Sequence, residues 1–96
     1  MIVSMLQVII EIPESFSLKD KRRVVKSVKD RLVSKFRVSC AETDLQESLR
    51  FAQLGAALVS NSAEFGEGVM RKALAVIEGE LSLRLHDSGI HSERFD

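Results

Sequence analysis

From Ile2 to Ile12 the apolar residues fall on alternate positions: Ile2, Leu6, Val8, Ile10 and Ile12 share one face with Ser4, while Val3, Met5, Gln7, Ile9 and Glu11 share the other. A period of two marks a strand, and apolar residues on both of its faces predict a central one. Pro13 removes an amide donor and, with Glu14 and Ser15, closes that strand; Ser17, with Asp20 three residues on, offers a helix N-cap. The period then changes. Between Leu18 and Phe36 the residues Leu18, Val25, Val28, Leu32 and Phe36 fall within about 80° of one another on a helical projection, with Val24 and Val33 on the flanks. This spacing predicts an amphipathic helix of about five turns.

Arg37 to Asp44 reads as a second strand and Phe51 to Ser60 as a third, joined by a hairpin loop from Asp44 to Arg50 with room for a bulge. Asn61 followed by Glu64 repeats the capping pattern, and Phe65, Val69, Ala73, Leu74 and Ile77 supply a second apolar stripe that ends near Gly79. Gly66 and Gly68, each up to about 1 kcal/mol worse than alanine inside a helix, predict a late start or a frayed first turn. His86 to Phe95 reads as a fourth strand. The order strand, helix, strand, strand, helix, strand is the split βαβ pattern. It predicts one α+β, ferredoxin-like domain over residues 1–96, with both helices on one face of a four-stranded antiparallel sheet and the other face open.

A chain of 96 residues, 45% apolar and 29% charged, suffices for one core and is typical of globular domains. The N-terminus lacks the basic segment of a secretion signal, and Gln7 and Glu11 interrupt it well short of the roughly 20 residues a membrane helix needs. The single cysteine, Cys40, excludes an internal disulfide and a cysteine-built zinc site, so the cytoplasm is the expected compartment. Net charge is zero, yet residues 1–37 hold nine Lys/Arg against four Asp/Glu, and residues 38–96 hold five against ten. That asymmetry speaks of fields and partners.

At Ser17-Leu18-Lys19-Asp20-Lys21-Arg22-Arg23-Val24-Val25, at Val38-Ser39-Cys40-Ala41-Glu42-Thr43-Asp44 and at Leu54-Gly55-Ala56-Ala57-Leu58-Val59-Ser60-Asn61 the sequence resembles the small bacterial YlxP-like family of uncharacterised proteins. The likeness runs over nearly the whole chain. It implies a ferredoxin-like fold without an established activity, in a family whose genes often lie beside those of translation and ribosome-maturation factors. Two departures stand out: Leu49 where such proteins often place a tryptophan, and a polar tail around Leu85-His86-Asp87-Ser88-Gly89.

The candidate chemistry concentrates in the first helix. Lys19, Arg22, Arg23, Lys26 and Lys29 form one stripe beside its apolar face, and Lys21 joins them as a candidate anion ligand near the helix N-terminus. Clustered basic side chains are the electrostatic footprint of a polyanion site, RNA first, or simply a solvated face. Base reading through the sheet is not expected, because the central strands offer only Phe51. Val3, Met5 and Ile9, with Ala57 and Val59, form an apolar patch on the open sheet face and a candidate interface for a homo-oligomer, a dimer first. His86 and His91, five apart, are expected on opposite strand faces and so unable to share a metal. Glu42 and Asp44 offer a carboxylate pair without a third ligand, Gly66-Glu67-Gly68 is too short for a phosphate loop, and Cys40 reads as a small buried hydrophobe. The expectation is a noncatalytic binding module without a cofactor or membrane association, for RNA or a ribonucleoprotein surface through the first helix. The alternative is a protein-interaction domain that uses the open sheet face.

Overall fold

In the computed structural model, which describes residues 1–96, the alternating segment becomes strand β1 (Ile2–Glu11). Ile2, Ser4, Leu6, Val8, Ile10 and Ile12 are all buried on its inner side. The chain continues through α1 (Leu18–Phe36), β2 (Ser39–Asp44), β3 (Phe51–Ser60), α2 (Ala63–Glu78) and β4 (Arg84–Arg94). The sheet order is β2-β3-β1-β4 with every neighbouring pair antiparallel, which is the ferredoxin-like βαββαβ arrangement. β1 and β3 pair without a slip from Ile2 opposite Ser60 to Glu11 opposite Phe51.

Both helices cover the inner side. Val25, Val28 and Leu32 of α1 and Met70, Ala73 and Ile77 of α2 close a core with Leu6, Val8, Ile10, Ala52, Leu54 and Ala56. Ser17 caps α1 by accepting from the Asp20 amide at 3.0 Å, and the Asp20 carboxylate accepts in return from the Phe16 amide at 3.1 Å. Arg37 ends the helix in the left-handed region (φ 57°), with its amide donating to the Val33 carbonyl at 2.9 Å. It therefore belongs to the helix cap, and β2 starts two residues later than the sequence suggests.

The second helix corrects two further expectations. Its cap is Ser62 rather than Asn61, the Ser62 hydroxyl accepting from the Phe65 amide at 3.1 Å. Nor do the glycines delay it, for α2 is helical from Ala63 onward. Gly66 is buried against Ser4, a wholly buried residue whose hydroxyl bonds that of Ser92 at 2.8 Å. A methyl group at position 66 would overlap the Ser4 side chain. The serine that interrupts the apolar face of β1 and the glycine that interrupts the helix thus meet, and together they let α2 cross close to the sheet. β4 begins at Arg84, two residues before the expected start, because Leu85 turns inward there and extends the core.

Gly66→Ala should lower stability by about 1–3 kcal/mol through overpacking, although alanine is favoured over glycine by about 1 kcal/mol in an open helix. A thermal melt of the variant checks this, and an unchanged or raised midpoint would mean that α2 does not approach β1 this closely.

Candidate nucleic-acid interface

The helical repeat carries Lys19, Arg22, Arg23, Lys26 and Lys29 along the side of α1 next to its buried stripe. The first four are exposed, and Lys29 is half-buried at the rim above β2. Only Lys26 has an ion partner, Asp30 one turn on at 2.6 Å, with both side chains well solvated. Of the remaining cations of this segment, Arg31 pairs with Glu80 beyond the end of α2, and Lys35 lies 5.7 Å from the centre of the Phe36 ring. Between α1 and β2 runs an open groove of ≈ 390 Å³ lined by Arg22, Val25, Lys26, Lys29, Asp30 and Glu42.

Lys21, expected among the anion ligands, is turned the other way and is 1% exposed. Its ammonium donates to the carbonyls of Leu45 at 2.6 Å and Ser48 at 2.8 Å, with Gln46 O at 3.5 Å. Glu42 Oε2 lies 3.0 Å from the nitrogen yet outside hydrogen-bonding geometry, so the carboxylate serves as a counter-charge and the carbonyls take the directed bonds. The physical reason is register: Lys21, Val25, Val28 and Leu32 occupy i, i+4, i+7 and i+11, the buried face. A phosphate at the helix N-terminus would therefore meet Lys19 and the Asp20 carboxylate, without Lys21.

The β2–β3 loop is consequently fastened at several points. Ser15 Oγ donates to Leu49 O at 2.6 Å, the Ile12 amide to Arg50 O at 2.6 Å, and Arg50 Nε to Ser15 O at 3.2 Å. Leu45 takes a left-handed conformation (φ 65°) to enter it. A bulge between Glu42 and Asp44 separates the two carboxylates read as a pair: Glu42 faces Lys21, and Asp44 accepts from the Leu45 amide at 2.7 Å.

Beside this loop stands a residue that sequence reasoning passed over. Phe16 is 70% exposed, with the Arg50 guanidinium carbon 5.3 Å from its ring centre. An aromatic residue just before a helix cap normally packs on the fourth helical residue. Here that residue is Lys21, committed to the loop, and the missing staple partner was the available signal.

On the open sheet face Val3 stands opposite Val59 and Met5 opposite Ala57. Val3, Met5, Ile9 and Ala57 are half-buried, while Val59 is exposed. Met5, Ala41, Thr43, Gly55 and Ala57 border a shallow apolar trough of ≈ 380 Å³. His86 and His91 both belong to this face, contrary to the expectation from spacing. A bulge in β4 sets Leu85 opposite Ile10 and Asp87 opposite Ile9, and the extra residue brings His86 round to Glu11, 2.8 Å away. His91 contacts Glu93 at 2.8 Å. About five residues of strand keep the imidazoles roughly 16 Å apart, and no group of three or more His, Cys, Asp or Glu side chains is brought together as a metal would need. Cys40 is half-buried, and burial pushes its thiol pKa up against the smaller opposing pull of the Lys29 charge.

The architecture defines a small ferredoxin-like α+β domain with one basic helix and an apolar trough on its open face. The chain belongs to the family described as "Protein of unknown function (DUF503)", matched over residues 3–90. It is also similar to the "Uncharacterized protein YlxP" of Bacillus subtilis (strain 168), 37% identical over 62 residues that cover 65% of this chain and 67% of that one. No helix is long and apolar enough to cross a membrane.

Lys21→Met preserves most of the side-chain volume and removes the charge, leaving the Ser48 carbonyl without a donor, the Leu45 carbonyl with the Ser48 amide alone and Glu42 without its counter-ion. Stability should fall by about 2–4 kcal/mol, with amide exchange through Leu45–Arg50 accelerating before the rest of the sheet. Urea denaturation and hydrogen exchange read the two effects, and a variant as stable as the parent would contradict the role assigned to Lys21.

Proposed function

We propose that this domain is a noncatalytic binding module that takes the phosphate backbone of RNA along the exposed side of α1. One observation carries the reading: Lys19, Arg22, Arg23 and Lys29 make no intramolecular ion pair, in a chain that carries as many acidic as basic residues. Charges left unpaired on one helix, with their balance placed elsewhere, produce a field across the molecule that favours a polyanion on that side. The helix is about 28 Å long, enough to follow several phosphates. Contact with phosphate is independent of base sequence, which suits a sheet whose central strands carry no aromatic row.

A second reading is favoured by the apolar trough and by Val59, which is 61% exposed. Under it, Val3, Met5, Ile9, Ala57 and Val59 form an assembly interface between copies of the chain. Indifference to RNA together with a mass that rises with concentration would decide for it.

The RNA reading is tested by titrating single-stranded RNA across a range of salt. Each phosphate contact releases counterions worth a slope of roughly −0.7 in log affinity against log salt, so five contacts give about −3.5. Replacing Arg22, Arg23 and Lys26 together with Gln should flatten the slope by about 2 and weaken all sequences alike. The fold should be preserved, since these side chains face water. A triple variant that titrates like the parent at ~0.1 M salt would overturn the proposal.

A further inference from the structure

We infer that Phe16, backed by Arg50, is a stacking platform for an unpaired nucleobase at the head of the basic helix; the inference rests on the RNA reading above and adds that the ligand is single-stranded. Phe16, 70% exposed, shares that exposure with Phe65 and Phe95, and what sets it apart is the cation fixed against its ring. Its intramolecular partner is the Arg50 guanidinium, whose carbon lies 5.3 Å from the ring centre and covers one face. That guanidinium is itself held, because Arg50 Nε donates to Ser15 O at 3.2 Å and the Arg50 carbonyl accepts from the Ile12 amide at 2.6 Å. Phe16 is tied down in turn, its amide donating to the Asp20 carboxylate at 3.1 Å. The second face of the ring stands in water, beside a fixed positive charge, on backbone anchored at both ends.

An aromatic face next to a cation is what a nucleobase on a charged backbone fits: the π-face stacks and the neighbouring phosphate is neutralised. Lys19, Arg22 and Arg23 follow Phe16 within about 10 Å of axial rise, a distance that a base's own phosphate and the next one span. A duplex has no free base to offer, and a polyanion without bases gains nothing from the ring. The platform therefore separates single-stranded RNA from both.

The chain contains no Trp or Tyr, so Phe16→Trp introduces one fluorophore at the platform and nowhere else. This variant, Phe16→Ala and the parent are titrated with a mixed-sequence single-stranded RNA decamer, an RNA duplex of matched charge and inorganic polyphosphate. The expected result is quenching of the indole by the single strand alone. Phe16→Ala should bind the single strand about tenfold more weakly, as loss of one base–aromatic stack implies, with polyphosphate binding unchanged. Circular dichroism should confirm that both variants are folded. Salt-dependent binding of the single strand with an unquenched indole and no loss in Phe16→Ala would overturn the platform and leave the basic-helix reading standing. Failure of every folded form to bind any RNA would overturn both.

Discussion

The Lys21 ammonium is taken out of water where α1 meets the β2–β3 loop, and a buried charge is tolerable there only if acceptors and a counter-ion meet it. Leu45, Ser48 and Glu42 supply them, and by doing so they give up their freedom. The loop closes over the helix start, β2 takes its bulge, and Arg50 comes to rest on the segment that leads into α1. The same contact removes the residue on which Phe16 would have packed. One inward-facing lysine thus fixes the loop, the edge strand and the aromatic residue left in solvent. Its neighbours Lys19, Arg22 and Arg23, within two helical positions on either side, face water.

A second constraint acts at the other end of the inner surface. β1 keeps an apolar side chain at every inward position except Ser4, and α2 keeps a side chain at every inward position except Gly66. Their contact lowers the helix onto the sheet and leaves Met70, Ala73 and Ile77 to fill the space beyond. With both helices committed to one side, the outer face keeps only what β1, β3 and the edge strands bring to it: Val3, Met5, Ala57 and Val59 around a floor opened by Gly55. The domain therefore presents two unlike surfaces, a charged helix and an apolar trough, on opposite layers.

Much of this was legible in the sequence because it is local. A period of two in Ile2–Ile12 and of 3.6 in Leu18–Phe36 is written in adjacent residues, and the six-element order follows from it. What depends on partners distant in sequence was not. The bulge in β4 that brings His86 to the face of His91 is set by pairing with β1, 75 residues away at the Glu11–His86 contact. Arg37 reads as the start of a strand because its left-handed conformation leaves no mark in residue type. Lys21 is the instructive case: its charge placed it with the anion ligands, while its spacing from Val25, Val28 and Leu32 placed it on the buried side, and geometry prevailed over charge. Within the Ser17–Arg22 segment that carries the family likeness, Ser17 and Asp20 cap, Lys21 fastens the loop, and Lys19 and Arg22 stay exposed without an ion partner.

The division of one basic helix into an inward lysine and an outward cationic stripe is most directly tested by lysine-specific acetylation of the native protein. Labelling is read residue by residue by mass spectrometry, with and without single-stranded RNA. Lys19, Lys26 and Lys29 should label readily and become protected when RNA is added, while Lys21 should stay unlabelled under both conditions until the protein is unfolded. Labelling of Lys21 at the rate of its neighbours, or stripe lysines whose rates ignore RNA, would contradict the account.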